Sequence, residues 1–165
     1  QPSLFEVVPN GGKGDCGPSA LWQLLYGGYP RVRDLKEIRQ QAIDEVWKNP
    51  SKYIDFFHGD TEQERTEMSR RWCRQMCKKG TWVDQIFINA VAEAHDVNVR
   101  VLAEDEKGLY RDVQGNYAGQ GNAGNKTHYI LHSNGNHFEA LKPLDEVIPI
   151  DDAWLEEGPS PVGVR

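Results

Sequence analysis

Cysteine is scarce in this chain, with three residues in 165, and methionine scarcer still, with two. Cys16, Cys73 and Cys77 are too few, and odd in number, for a disulfide framework, which points to a reducing compartment. No apolar run approaches the ~20 residues of a membrane helix, so no membrane partner is expected. A cationic excess is also missing: 19 Lys and Arg face 25 Asp and Glu, a net charge of −6 at pH 7. Nucleic-acid binders ordinarily carry a basic excess or stripe, so no nucleic-acid partner is expected, and a basic or Arg-bearing partner suits the charge better. The chain starts at Gln1 rather than Met, with no charged-then-apolar leader after it. It is expected to be a processed product or a monomeric domain of a longer protein.

What is present is an ordinary globular mixture, 38% hydrophobic and 27% charged. A chain of this length buries about 70% of its unfolded surface and can build a core without disulfides or a structural metal. Residues 4–8 read as a short strand closed by Pro9-Asn10-Gly11-Gly12. A helix should start near Cys16, with Pro18 in its first turn, and end at Gly27-Gly28. Residues 33–48, 51–58, 61–79 and about 84–95 carry helical patterns. Met68, Trp72 and Met76 form the stripe of the third, and Thr81 or Asp84 caps the fourth. After Asp96 the period becomes two, predicting strands at 97–103 and 109–113 and a Gly- and Asn-rich loop at 114–126. Two more strands, 127–132 and 137–142, flank Asn134-Gly135, a strong hairpin signal. Early helices and late, mainly antiparallel strands make this an α+β domain. Residues 1–142 form the domain, and 143–165 an acidic, Pro-containing tail.

The sharpest chemical feature is Gly14-Asp15-Cys16-Gly17-Pro18 entering a helix. A cysteine there sits at the positive end of the helix dipole, which favours the thiolate and is expected to lower its pKa. The Gly-rich approach leaves backbone N–H groups, around Gly14 and Cys16, free to face an oxyanion. A base is needed, and 121 residues later His137-Phe138-Glu139 opens a strand. Residues i and i+2 share a strand face, so Glu139 can orient the His137 imidazole. Asp15 is an alternative acid if the loop folds back. Taken singly, each feature has a commonplace reading: a small buried cysteine under a helix cap, and a surface His–Glu pair on a hairpin.

In this order and spacing the motifs resemble the ovarian-tumour (OTU) type cysteine proteases, a family with a papain-like α+β fold. They are Gly14-Asp15-Cys16, then Gly80-Thr81-Trp82-Val83-Asp84 with the 97–102 strand, then His137-Phe138-Glu139. The resemblance implies a deubiquitinase that cuts after the C-terminal Gly-Gly of ubiquitin. Cys16 would be the nucleophile, His137 the base and Glu139 the acid, with backbone amides around Gly14 and Cys16 as the oxyanion hole. Its partners would be ubiquitin or polyubiquitin chains, or a ubiquitin-like protein, and hydrolysis would need no metal or organic cofactor. Three departures mark a divergent member, bacterial or viral: Lys13 where the family has Asp, Gly17 where it has a large apolar residue, and Glu139 in place of Asp or Asn. Such a member would act in the cytoplasm, in the host-cell cytosol as an effector or viral protein. Two alternatives remain: a double-glycine leader cysteine peptidase, whose active-site helix Asp15–Leu21 also resembles, and a catalytically weak ubiquitin-binding module.

Other motifs carry less. Residues 119–124 match a dinucleotide spacing but lead into a strand, and the motif needs a helix N-terminus. His128 and His132 lie ~13 Å apart on a strand, too far to share a metal, though His132 can face His137 across the hairpin. Cys73 and Cys77 read as helix-packing residues. Arg70, Arg71, Arg74, Lys78 and Lys79 share a helix with Glu62, Glu64 and Glu67, which predicts an ion-paired, solvated face. Asn125-Lys126-Thr127 is a glycosylation sequon, meaningful only in a secreted protein.

Overall fold

The computed structural model describes residues 5–11, 13–104, 110–118, 126–133 and 137–144. The chain opens with β1 (Phe5–Val8) and a 3-10 turn (Lys13–Asp15) that leads straight into α1 (Cys16–Tyr26). Then follow α2 (Val32–Lys48), α3 (Pro50–Tyr53) with a 3-10 turn (Ile54–Phe56), α4 (Glu62–Met76) and α5 (Gln85–His95). The strands β2 (Asn98–Glu104), β3 (Tyr110–Ala118), β4 (Thr127–Ser133) and β5 (His137–Pro143) complete it. The α+β reading holds.

Local chemistry sets the boundaries. Gly27 ends α1 at φ 72°, a left-handed value that favours glycine. Asn49-Pro50 interrupts the helical run, and Pro50 then occupies the first turn of α3, where no N–H is required. Thr61 caps α4 by accepting from the Glu64 N–H. Asp84, rather than Thr81, caps α5: one carboxylate oxygen accepts from the Phe87 N–H at 3.0 Å and the other from the Trp72 indole at 2.9 Å. That one residue therefore ties the start of α5 to α4.

The sheet has the order β1-β5-β4-β2-β3, with β2 and β4 parallel and the other three pairs antiparallel. β4 and β5 pair antiparallel as expected, Ser133 opposite His137, while the predicted turn at Asn134-Gly135 lies outside the described residues. β3 is longer than predicted. The reading above ends it at 113, but the backbone stays paired with β2 to Ala118. A register break between Arg100 and Leu102 leaves 113–116, including Gly115 and Asn116, in the irregular part of the ladder. Strand pairing thus overrides the weak local preference of those residues. The dinucleotide-like motif at 119–124 and the tail from 145 lie outside the described residues.

One face of the sheet packs on the helices. Ala20 and Leu21 of α1, Ile38, Ala42 and Val46 of α2, and Phe87, Ile88 and Val91 of α5 meet Val99, Val101, Ile130, Phe138 and Ala140. Phe5, Leu102, Tyr129, Leu131 and Leu141 form a second buried cluster. In α4, Trp72 and Met76 join the core as predicted, but Met68 sits at its exposed margin. Cys73 is buried and Cys77 exposed, and none of the three cysteines forms a disulfide. Burial pushes the Cys73 thiol up to about 11.

Candidate active site

Cys16 is the first residue of α1, held by a loop with almost no spare room. A Cβ on Gly14 would lie 1.6 Å from the Gly80 carbonyl oxygen, so the backbones of residues 14 and 80 touch. A Cβ on Gly17 would lie 2.2 Å from Val83 Cγ2. Glycine at 17, where the sequence departs from the OTU pattern, is therefore required by Val83. The segment 80–83 lies across both sides of the cysteine, and Trp82 within it is exposed. Lys13 enters the loop at φ 60°, one of two non-glycine residues at positive φ among those described.

Two residues that sequence reasoning passed over fix this loop. Arg39, on α2, is 3% exposed. Its Nη1 donates to Met76 O at 2.8 Å, and its Nη2 faces Thr81 O at 2.7 Å, Asp15 Oδ1 at 2.8 Å and Gly14 O at 3.3 Å. One guanidinium thus joins the cysteine loop, the end of α4 and the 80–83 segment. The signal was its position beside the apolar stripe of α2, where a cation must find partners. Asn10 is the other. Its Nδ2 donates to Phe138 O at 2.7 Å and, more weakly, to Cys16 O at 3.4 Å. Nothing local distinguished it from an ordinary turn asparagine.

The distant motifs meet here. Phe138 N–H donates to Cys16 Sγ at 3.4 Å, which places the sulfur against the strand residue flanked by His137 and Glu139. Those two share a side of β5, with His137 Nε2 3.7 Å from Glu139 Oε2. That distance exceeds a hydrogen bond, so the two groups are neighbours without a direct bond between them. Asp15 is otherwise engaged: Oδ1 accepts from Arg39 and from the Gly80 N–H at 3.0 Å, which pins the loop.

The expected lowering of the Cys16 pKa does not hold. Cys16 is 1% exposed, and burial pushes its thiol above the ordinary range. The N–H groups of Phe138, Gly17 and Cys16 itself pull it back, and the charge of Asp15 raises it further. Desolvation outweighs the helix N-terminus, so the sulfur rests as a thiol and needs a base to act. His132 does not face His137. It lies opposite Phe138 and stacks on that ring, centroids 4.4 Å apart and planes 11° from parallel. Burial lowers the pKa of His128, and the nearby charge of Lys126 lowers it further. On α4, Arg74 pairs with Glu67 at 3.4 Å and Arg70 lies over the Trp47 ring, a solvated face as predicted. Among the described residues, no group of three or more His, Cys, Asp or Glu is placed to hold a metal ion, and no helix is long and apolar enough to cross a membrane.

The family described as OTU-like cysteine protease matches residues 12–138. No curated protein matches the chain by sequence. Solved structures do by shape. The OTU domain of OTUD1 superposes with a TM-score of 0.67 at 13% identity, covering 84% of this chain and 85% of that one. The viral OTU domain protease of Farallon virus gives 0.67 at 19%, covering 86% of each. The Hazara virus OTU, solved bound to ubiquitin, gives 0.60 at 18%, covering 86% and 83%.

Proposed function

The chain belongs to the OTU-like cysteine protease family, and from that premise we propose that it is a deubiquitinase. In this reading it hydrolyses peptide and isopeptide bonds after the C-terminal Gly-Gly of ubiquitin. The contact between Phe138 N–H and Cys16 Sγ carries the proposal, because it sets the cysteine beside the His137–Glu139 pair. The ubiquitin-bound Hazara virus OTU supports the choice of substrate.

The mechanism follows from the groups present. With His137 Nε2 turned toward Glu139, Nδ1 is left to receive the Cys16 proton. The thiol has a raised pKa, so proton transfer accompanies attack rather than preceding it. Sγ bonds to the glycine carbonyl carbon, and backbone N–H groups around Gly14 and Cys16 receive the oxyanion. Collapse breaks the C–N bond, His137 gives its proton to the leaving amine, and a thioester remains. His137 then takes a proton from water, whose oxygen attacks the thioester, and the released thiolate recovers that proton. Glu139 is assigned as the acid because Asp15 is held by Arg39 and Gly80. A thiol nucleophile works only when reduced, which fits action in the cytosol.

Incubation with ubiquitin bearing a C-terminal electrophile tests this. The expected result is a one-to-one adduct by intact mass that Cys16→Ala abolishes. Binding without an adduct would instead make the chain a ubiquitin-binding module. Leader-peptide cleavage after Gly-Gly with no ubiquitin adduct would make it a double-glycine peptidase.

A further inference from the structure

β1 and β5 pair with Val8 opposite Ala140. Two residues on, the same register would set residue 10 opposite Phe138. The ladder stops short of that pair: the last β1 residue paired with β5 is Val8, Pro9 turns its carbonyl to Gln23 of α1, and the chain leaves β1 for the 3-10 turn. Phe138 therefore has an N–H and a C=O to satisfy where β1 has ended. The C=O accepts from the Asn10 side chain at 2.7 Å, and the N–H donates to Cys16 Sγ at 3.4 Å. The Asn10 amide also reaches Cys16 O, at 3.4 Å. Gln23 of α1 donates to Pro9 O at 3.2 Å, which fixes the residue before Asn10 from the same helix that carries the cysteine. The result is a closed ring of contacts through Asn10, Phe138 and Cys16.

We propose that Asn10 is a positioning residue of the active site: its carboxamide replaces the missing strand donor, holds the Phe138 backbone, and so keeps Phe138 N–H on the Cys16 sulfur. This rests on the reading of Cys16 as nucleophile. Asn10 acts through Phe138, whose N–H is one of the groups that favour the thiolate against burial. The charge set against that sulfur is Asp15 on its own loop, itself paired with Arg39, while His137 and Glu139 flank Phe138 on β5. Asn10 adds no charge to this set, so its effect should be that of an oriented donor. Aspartate has the same shape but sets an acceptor against the Phe138 carbonyl, whereas glutamine keeps the donor on a longer arm.

The test is the pH dependence of Cys16 alkylation by iodoacetamide in the full chain, with the modified residue assigned by peptide mass because Cys77 is exposed. Losing one hydrogen bond's orientation should move the reactive limb upward and slow alkylation below it roughly three- to tenfold in Asn10→Ala and Asn10→Asp. Asn10→Gln should fall between these and wild type. On a ubiquitin conjugate, kcat should drop in the same ratio with KM within about twofold. A limb that stays at the wild-type pH in folded Asn10→Asp or Asn10→Gln overturns the proposal. So does a loss of rate that only tracks the unfolded fraction by circular dichroism. If the wild-type chain does not react with ubiquitin, the deubiquitinase reading fails, while the alkylation limb still decides the role of Asn10.

Discussion

Replacing Arg39 with methionine keeps most of the stem volume and removes every donor of a guanidinium that is 3% exposed. Three carbonyls, of Gly14, Met76 and Thr81, lose the guanidinium, and Asp15 Oδ1 keeps only the Gly80 N–H. The Asp15 side chain is 19% exposed, so its charge is left largely buried and uncompensated. Breaking such a pair typically costs about 3–5 kcal/mol. A domain of this size loses about 2–4 °C in Tm per kcal/mol, so Arg39→Met should melt roughly 6–20 °C below wild type. Typical stabilities of 5–15 kcal/mol leave the variant folded at low temperature, where urea titration gives the cost directly. Asp15→Asn keeps an acceptor for the Gly80 N–H and should cost less, about 1–2 kcal/mol. Because the two residues share a contact, the double variant should be more stable than the sum predicts by about 1–3 kcal/mol. A cost below ~1 kcal/mol for Arg39→Met, or strict additivity, would refute the view that this guanidinium locks the cysteine loop.

Gly17→Ala should cost about 1–3 kcal/mol by overpacking against Val83, measured by urea titration, and Val83→Ala in the same chain should recover most of it. His137→Ala should lower kcat by roughly 10²–10⁴ on a fluorogenic ubiquitin substrate, and Glu139→Gln by less, since the carboxylate stands 3.7 Å from the ring; equal losses would point to a closer contact in the working enzyme. The His95 and His128 pKa values are both lowered by burial, so the unfolded chain takes up protons first as pH falls below about 6.5. The stability they contribute is present above that pH and fades below it, and replacing both with Gln should flatten the decline of Tm as pH falls below about 6.5.

The helices and the four-residue edge strand were legible because period, caps and breakers agree there. Pro50, Gly27 and Thr61 each act as their local chemistry dictates. β3 was cut short because pairing with β2 carries it past residues that locally prefer a loop. In the site, the motif residues on α1 and β5 were visible as types at a spacing. What joins them was not. Asn10 and Arg39 work through contacts with backbone carbonyls far along the chain, and backbone carbonyls leave no trace in a sequence. The Cys16 pKa was misread for a related reason: helix polarity can be inferred from position, but the depth of burial that opposes it depends on the whole fold.

β5 lies between β1 and β4, pairing with the first strand of the chain on one side and its late neighbour on the other. The helix that carries Cys16 and the strand that carries His137 meet through Phe138, which bonds Cys16 and Asn10 across 122 and 128 residues of chain. Non-local contacts close last, after loop entropy has been overcome. In a chain emerging during synthesis, Cys16 therefore lacks the Phe138 N–H, and the nearby His137–Glu139 pair, until β5 has been made and has inserted. In the proposed deubiquitinase, hydrolysis therefore waits on β5, and a copy truncated before that strand should leave ubiquitin conjugates intact.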